Sequence, residues 1–392
     1  MSLLYDLTAT QPSGASAFTG GNEYAKAVFL RLVERSLDKI IAFSDPERPL
    51  DPVIAEAVRK VEHVETTWGK GVQRLLDRQD VVTFYSALPP LEVLDQDLKN
   101  VHWRFTLHGL RPYELPTDPA ARWMANSVPE WSLAVVKSMV PKMYRRRVLG
   151  HYRRLLSLRS RSVRVSVPSA HTKYALLSAL PEVDPTTVEV TYSPLKSVDC
   201  RLTEAETRKA VAEVGVVPGR YVLVLSGDRW LKNGLRAAMA LDKLYDTRPD
   251  LPITTLVLGV QNRRRYLRRI KHPERIVLSR YVAAPVLEAL YSKAFALLYP
   301  SLNEGFGYPP LECMKYGVPV ICGAVTSVPE VCADAALYVD PRSEDEIGAR
   351  ILQLILDSTC YSDYGDRGRS RARLVARQQE AMLDRFLNSL IA

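Results

Sequence analysis

Ser301-Leu302-Asn303-Glu304-Gly305-Phe306-Gly307-Tyr308-Pro309-Pro310-Leu311-Glu312 is the stretch on which the reading of this chain turns. The apolar run Ala294 to Pro300 ahead of it predicts a buried strand. Gly305 and Gly307 flank one aromatic, so the backbone there can take conformations closed to other residues and let a ligand approach. Pro309 and Pro310 suit the first turn of a helix, where a missing N–H costs nothing. The helix is expected to run to about Tyr316, with Gly317 as its stop. A strand, a glycine turn and a helix start form a geometry that receives phosphate, because free amides and the helix dipole point at the ligand. Glu304 and Glu312 bracket that turn.

Working upstream, the same alternation recurs. Strands are predicted at Tyr221–Ser226, Ile253–Leu258 and Ile276–Val282, with helices at Asn233–Tyr245 and Val286–Ser292. Earlier still, strands are predicted at residues 3–9, Ile40–Phe43, Val61–Thr66, Val81–Ser86, Val101–Leu107, Val163–Val167 and Val188–Tyr192. A helix is expected from Tyr24 to about Arg35, after a Pro/Ser/Gly loop over Gln11–Gly21. Alternation of this kind implies α/β architecture with open parallel sheets covered by helices. The pattern lapses between Leu195 and Thr203, which reads as a linker, and 392 residues suffice for two domains with separate cores. Helices are also expected over Ser343–Ile355 and Arg369–Ile391.

Composition narrows the class. Five cysteines (200, 313, 322, 332 and 360) form no C-x-x-C pair, and an odd count forbids complete internal pairing, so a reducing cytoplasm is the expectation. No apolar run approaches a membrane span. The formal charge of +9 favours anionic partners without choosing among nucleotide sugars, lipid surfaces and nucleic acid.

Glu304-Gly305-Phe306-Gly307 with Pro309-Pro310-Leu311-Glu312 resembles the paired-glutamate motif of the retaining family-4 glycosyltransferases of bacterial group 1 type. The likeness continues through Gly317-Val318-Pro319-Val320 and Ser327-Val328-Pro329-Glu330-Val331 to Ala335–Pro341, with Tyr308 and Cys313 where that family more often has Leu and Ala. It implies the GT-B fold, two Rossmann-like domains facing each other across a cleft. The expected acceptor-binding domain is 1–197 and the nucleotide-sugar-binding domain 198–370, with a helix over 371–392 able to cross back. By the same resemblance Glu304 contacts the donor sugar and Glu312 the ribose, within a donor site that includes Gly305, Phe306, Gly307 and Leu311. Gly227-Asp228-Arg229-Trp230-Leu231-Lys232-Asn233-Gly234 resembles the family's Arg…Lys-Asn signature, so Arg229 and Lys232 are candidates to hold a diphosphate. Gly20 and Gly21 resemble the first glycine loop, and His108, after a predicted strand, is the candidate active-site histidine. The implied reaction is sugar transfer from a nucleotide-diphosphate sugar to an acceptor hydroxyl with retention, in cell-surface polysaccharide or glycolipid synthesis. Paired cations in place of a metal cage imply no cofactor and no metal.

Several features stand outside that motif set. Trp131 to Pro181 has no acidic residue and carries Lys142, Arg145, Arg146, Arg147, Arg153, Arg154 and others beside apolar positions. A basic amphipathic helix can lie on anionic lipid, so the stretch 142–164 would make the protein peripheral on the cytoplasmic membrane face; a solvated helical face is the alternative. Asn262–Arg269 holds five arginines, either a second anion site or a solvated face. Asp95-Gln96-Asp97 has the spacing by which other glycosyltransferases hold a divalent metal, but no strand is predicted before it and it reads as a decoy in a helical stretch. Rival classes are a GT-B nucleotide-sugar epimerase and a basic nucleic-acid-binding protein. The latter needs stacking aromatics among the arginines, where only Tyr144 and Tyr152 lie.

Overall fold

The apolar runs become strands of two separate, wholly parallel sheets in the computed structural model, which describes residues 1–12, 20–194 and 202–391. The first sheet contains β1 (Ser2–Asp6), β2 (Ile40–Ser44), β3 (Glu62–Glu65), β4 (Val81–Ser86), β5 (Leu98–Thr106), β6 (Ser160–Val167) and β7 (Val188–Val190), in the order β3-β2-β1-β4-β5-β6-β7. The second contains β8 (Tyr221–Val224), β9 (Thr254–Leu258), β10 (Ile276–Ser279), β11 (Ala296–Tyr299), β12 (Val320–Gly323) and β13 (Leu337–Val339), in the order β10-β9-β8-β11-β12-β13. Central strands β8 and β11 are buried at every residue, as expected where helices cover both faces. Each sheet reverses its strand order once, between β1 and β4 and between β8 and β11. Open parallel sheets collect ligands outside the carboxyl ends of strands at such a reversal.

The chain divides into two compact units: Met1–Leu110 with Arg146–Lys196 and Ala376–Ala392, and Arg111–Arg145 with Ser197–Val375. The last helix, Ser358–Ile391, contributes to both. Its Leu383, Phe386, Leu387 and Leu390, at helical spacing, bury in the first unit's core beside Tyr5, Phe29 and Tyr85. Its beginning packs Tyr361 and Tyr364 on the second core, with the Tyr361 hydroxyl donating to the Phe295 carbonyl at 3.0 Å.

Several expectations are corrected. Arg111–Arg145, assigned above to the first domain, groups with the second unit. Polar ties hold it there. Asp118 caps the short helix Pro119–Trp123 and lies 3.1 Å from Arg342 and 3.8 Å from Arg236, while Met124 enters the second core. Gly20 and Gly21 are not loop residues but open the helix Gly20–Arg35; residues 13–19 of the expected loop, and 195–201 of the expected linker, lie outside the described residues. A side chain on Gly21 would meet Leu88 at 2.9 Å, so this glycine lets the helix approach the end of β4. The stretch around Asp95 forms a 3₁₀ turn, Leu91–Asp95, that runs straight into β5, and Asp97 pairs with Lys99 at 2.8 Å. Strands β12 and β13 were not predicted; the second is only three residues long.

One residue stitches the second sheet's reversal. Asn233 is buried in the left-handed conformation, φ 60°, and caps the helix Gly234–Thr247. Its side-chain amide donates to the carbonyls of Pro300 (3.1 Å) and Pro341 (2.5 Å), and its oxygen accepts from Arg236 at 2.8 Å. Asn233→Ala is expected to lose about 2–4 kcal/mol of unfolding free energy in urea, from orphaned buried carbonyls plus the left-handed backbone. Asn233→Gly should lose about 1 kcal/mol less, because glycine adopts that backbone freely. Equal losses would mean that backbone conformation contributes nothing.

Candidate active site

The reversal of the second sheet brings two sequence-distant loops together. β8 leads through Gly227 to a 3₁₀ turn, Trp230–Lys232, and β11 leads through Pro300 to Glu304. Lys232 Nζ donates to Glu304 Oε1 at 2.5 Å and to the Tyr299 hydroxyl at 2.7 Å. Tyr299 in turn donates to Glu304 Oε1 at 2.6 Å, and the Ser301 hydroxyl donates to the same oxygen. Three donors converge on one carboxylate oxygen, and Oε2 carries none of these bonds. Both partners are largely buried, with side-chain exposures of 15% for Lys232 and 11% for Glu304.

Electrostatics holds the pair ionised. Burial pushes the Glu304 carboxyl up, but the adjacent Lys232 charge and the hydrogen bonds outweigh it and leave the group below the usual carboxylate value. Burial, with the like charges of Arg229 and Arg111, holds Lys232 below the ordinary lysine value despite Glu304 beside it. Arg229 is exposed at the start of the 3₁₀ turn, close enough for its charge to be felt at Lys232 and Tyr299.

The backbone around Glu304 is pinned as well. Its N–H donates to the Thr326 hydroxyl at 2.9 Å, and Ser327 donates to the carbonyls of Glu304 and Phe306, both at 3.0 Å. Thr326 itself sits at φ 47°, an unfavourable conformation for a branched residue. Asn303 donates to Glu114 at 2.9 Å, which anchors the Arg111–Glu114 helix next to Glu304. Gly307 takes φ 100° and caps the helix Tyr308–Met314, shorter than expected but starting where the prolines require. Phe306 and Leu311 are buried, and Glu312 is half-buried, accepting from the Tyr291 hydroxyl at 2.8 Å.

Sequence reasoning missed Tyr299, Ser301 and Thr326 as parts of this cluster. Tyr299 closes an apolar run and reads as core; Ser301 and Thr326 carry no spacing signal. It also missed a basin of about 420 Å³ lined by Gln261, Arg280 and Tyr281 at the ends of β9 and β10. Gly259, at φ 79°, makes room for Tyr281, whose ring a side chain would meet at 2.8 Å.

His108 belongs to the first unit and its own reversal. It follows β5, and Nε2 lies 2.9 Å from the Ala87 carbonyl, just past β4. A carbonyl only accepts, so Nε2 carries the proton and Nδ1 keeps its lone pair. Tyr24 meets the ring edge-on at 4.8 Å. Burial pushes its pKa down to about 4, against a small opposing effect of the Ala87 bond.

Residues 220–357 match the family described as Glycosyl transferases group 1, so the second unit carries a group 1 glycosyl transferase domain. With two parallel-sheet units and glycosyltransferase neighbours over the whole chain, the fold is GT-B. A glycosyltransferase from Rickettsia africae superposes with TM-score 0.67 at 16% identity, covering 99% of this chain and 97% of that one. Anabaena HepE, in complex with UDP, gives TM-score 0.67 at 13% identity, covering 98% and 99%. Among curated proteins, the Escherichia coli O-antigen chain mannosyltransferase B is 46% identical over 93 residues. That match spans 24% of each chain, so this protein aligns with about a quarter of its curated relative's length.

The His108 environment makes a pH prediction. Its folded pKa of about 4 is depressed from 6.5, so between those values the unfolded chain binds the proton more readily. Stability contributed at neutral pH is therefore lost as pH falls from about 6.5 to 4. In a ¹H–¹⁵N NMR titration His108 should keep the Nε2–H tautomer through pH 5.5. A midpoint near 6.5 would overturn this assignment.

Proposed function

We propose that the protein transfers a sugar, with mannose the first to test, from a nucleotide-diphosphate donor to an acceptor hydroxyl in cell-surface polysaccharide synthesis. The observation that carries this reading is the ionised Lys232–Glu304 pair at the β8/β11 reversal, inside the segment that matches the group 1 family. The mannosyl choice follows the Escherichia coli relative. Breaking the bond from the anomeric carbon to the diphosphate leaves negative charge on the departing oxygen. Lys232 has three N–H donors, of which Tyr299 and Glu304 take two, so one is left for phosphate. Arg229 supplies a second cation, and together they meet the charge that grows in the transition state. Glu304 Oε2 is the oxygen available to a sugar hydroxyl. Retention follows from a front-face course, in which the acceptor's proton passes to the leaving phosphate oxygen. The donor's base is assigned to the basin of Gln261, Arg280 and Tyr281, and its ribose to Glu312.

Thermal unfolding against UDP-, GDP-, dTDP- and ADP-sugars identifies the donor, since a ligand of the folded state alone raises the midpoint. No shift with any of them would count against the reading. In steady-state kinetics Glu304→Gln should lower kcat about 10²–10³-fold, as for loss of one preorganised electrostatic group. Glu312→Gln should instead raise KM and weaken free nucleotide diphosphate, with kcat little changed, because ribose contacts are alike in ground and transition states. Full kcat in the first variant and intact nucleotide affinity in the second would overturn these roles.

The paired cations also imply metal-independent transfer, so activity should persist in excess chelator. Loss that manganese or magnesium restores would refute it. A lipid-linked acceptor would suit attachment to anionic membrane through residues 142–164, where Lys142, Arg145, Arg146, Arg147, Arg153 and Arg154 are all exposed. Vesicle sedimentation should then depend on anionic lipid; equal binding to neutral vesicles would leave only a solvated basic face.

A further inference from the structure

A second strongly basic feature lies apart from the Lys232–Glu304 cluster, within the same unit. A basin of about 390 Å³ is lined by Asn262, Arg264, Arg265, Arg268 and Arg269 on one side and by Trp123 and Ala125 on the other. None of these lining residues is acidic. Arg264, Arg268 and Arg269 are exposed, whereas Arg265 is 7% exposed and forms the floor. Arg265 Nη2 donates to the Ala125 carbonyl at 3.0 Å and to Asn126 Oδ1 at 3.1 Å. Its Nη1 makes no hydrogen bond and stands 3.7 Å from Asp228 Oδ1, itself without a hydrogen bond. A solvated helical face does not require an arginine nine-tenths buried among three exposed ones, nor an indole across from its neighbours.

The segment that Arg265 grips leads directly into an unusual helix. Val128–Met139 buries only Ala134. Val128, Trp131, Leu133, Val136 and Met139 are each at least half exposed, at 76, 50, 53, 51 and 75%. Met143 follows at 66%, with exposed Lys142 and Arg145 beside it. Apolar side chains this concentrated mark an interaction surface rather than ordinary solvent-facing helix. Phosphate chemistry beside exposed apolar surface matches one kind of ligand, a lipid with a phosphate head.

We propose that the basin is a phosphate site for an anionic phospholipid, whose head group the arginines hold while its chains lie against Val128–Met139. Guanidinium groups suit phosphate because their paired donors match its oxygens. This goes beyond the transfer reaction and uses none of the residues assigned to it.

The test compares three variants of the full chain with the unaltered protein. One carries Arg264→Gln, Arg268→Gln and Arg269→Gln; a second carries Trp131→Ser and Met139→Ser; a charge-matched control carries Arg59→Gln, Lys60→Gln and Lys70→Gln, none of them in the basin or in 142–164. All alter exposed positions, and unchanged thermal midpoints without ligand check that they fold. Sedimentation uses phosphatidylcholine vesicles with and without phosphatidic acid, and inorganic pyrophosphate is the soluble probe by calorimetry. The expected result is phosphatidate-dependent binding that falls at least tenfold in the first two variants and less in the control. Pyrophosphate should occupy one more site on the unaltered protein and on the Trp131/Met139 variant than on the arginine variant, whose remaining binding belongs to Lys232 and Arg229. Vesicle binding unaffected by the arginine changes, or equal loss in the charge-matched control, would overturn the site. Arginine-dependent pyrophosphate binding without vesicle binding would assign the basin to a soluble phosphate and overturn the lipid.

Discussion

Burying a carboxylate is costly unless a cation and hydrogen bonds replace its water, and Glu304 satisfies that demand only where β8 and β11 are neighbours. Lys232 comes from the loop after β8, and Tyr299 and Ser301 from β11 and the turn after it. The strands join only because the chain leaves β8 in one direction, builds β9 and β10, and returns to the other side. A slip in that order would leave one charge buried alone, so the pair selects the topology as well as the site. Asn233 reinforces the same junction, one residue past Lys232, by tying the carbonyls of Pro300 and Pro341.

A second set of buried charges does for Arg111–Arg145 what the ion pair does for the sheet. Asp118 is fully engaged, capping its own helix while Arg236 and Arg342 approach it, and Arg236 stacks over Trp123 at 5.3 Å. Arg236 also donates to Asn233, so this segment is coupled through two side chains to the cap beside Lys232. Such pairs add little net stability over apolar packing, but they are intolerant of alternative partners. They therefore fix where the segment docks, and Glu114, through Asn303, touches the residue next to Glu304.

How much of this was legible follows from the range of each interaction. Strands buried on both faces are local apolar runs, and Ala294–Pro300 and Tyr221–Ser226 announce β11 and β8 without further help. Glycine and proline mark the turn after β11 because their constraints are carried by single residues, and Gly307 does take a positive φ. β13 escaped because Leu337-Tyr338-Val339 is apolar throughout and cut off at once by Asp340 and Pro341, whereas the equally short β7 lies in the alternating run Val188–Tyr192. The expected glycine loop at Gly20-Gly21 failed because helix starts and loops share the same residue types there. The docking of Arg111–Arg145 was invisible for a different reason. Asp118 and Arg342 are paired across more than two hundred residues, and nothing in either one's neighbours tells an engaged charge from a solvated one.

The two strand reversals also divide the chemistry. Each unit holds a titratable group at the ends of its central strands, and their surroundings push the groups to opposite charge states. Glu304 stays ionised because Lys232 and two hydroxyls outweigh its burial, while His108 stays neutral because burial has no counter-charge to oppose it. The imidazole proton is already committed to Ala87, so what the ring can offer is the Nδ1 lone pair, an acceptor for a hydroxyl. At neutral pH His108 is therefore an uncharged hydrogen-bond acceptor at Nδ1, a distinction that a residue type in a motif does not carry and its buried surroundings do.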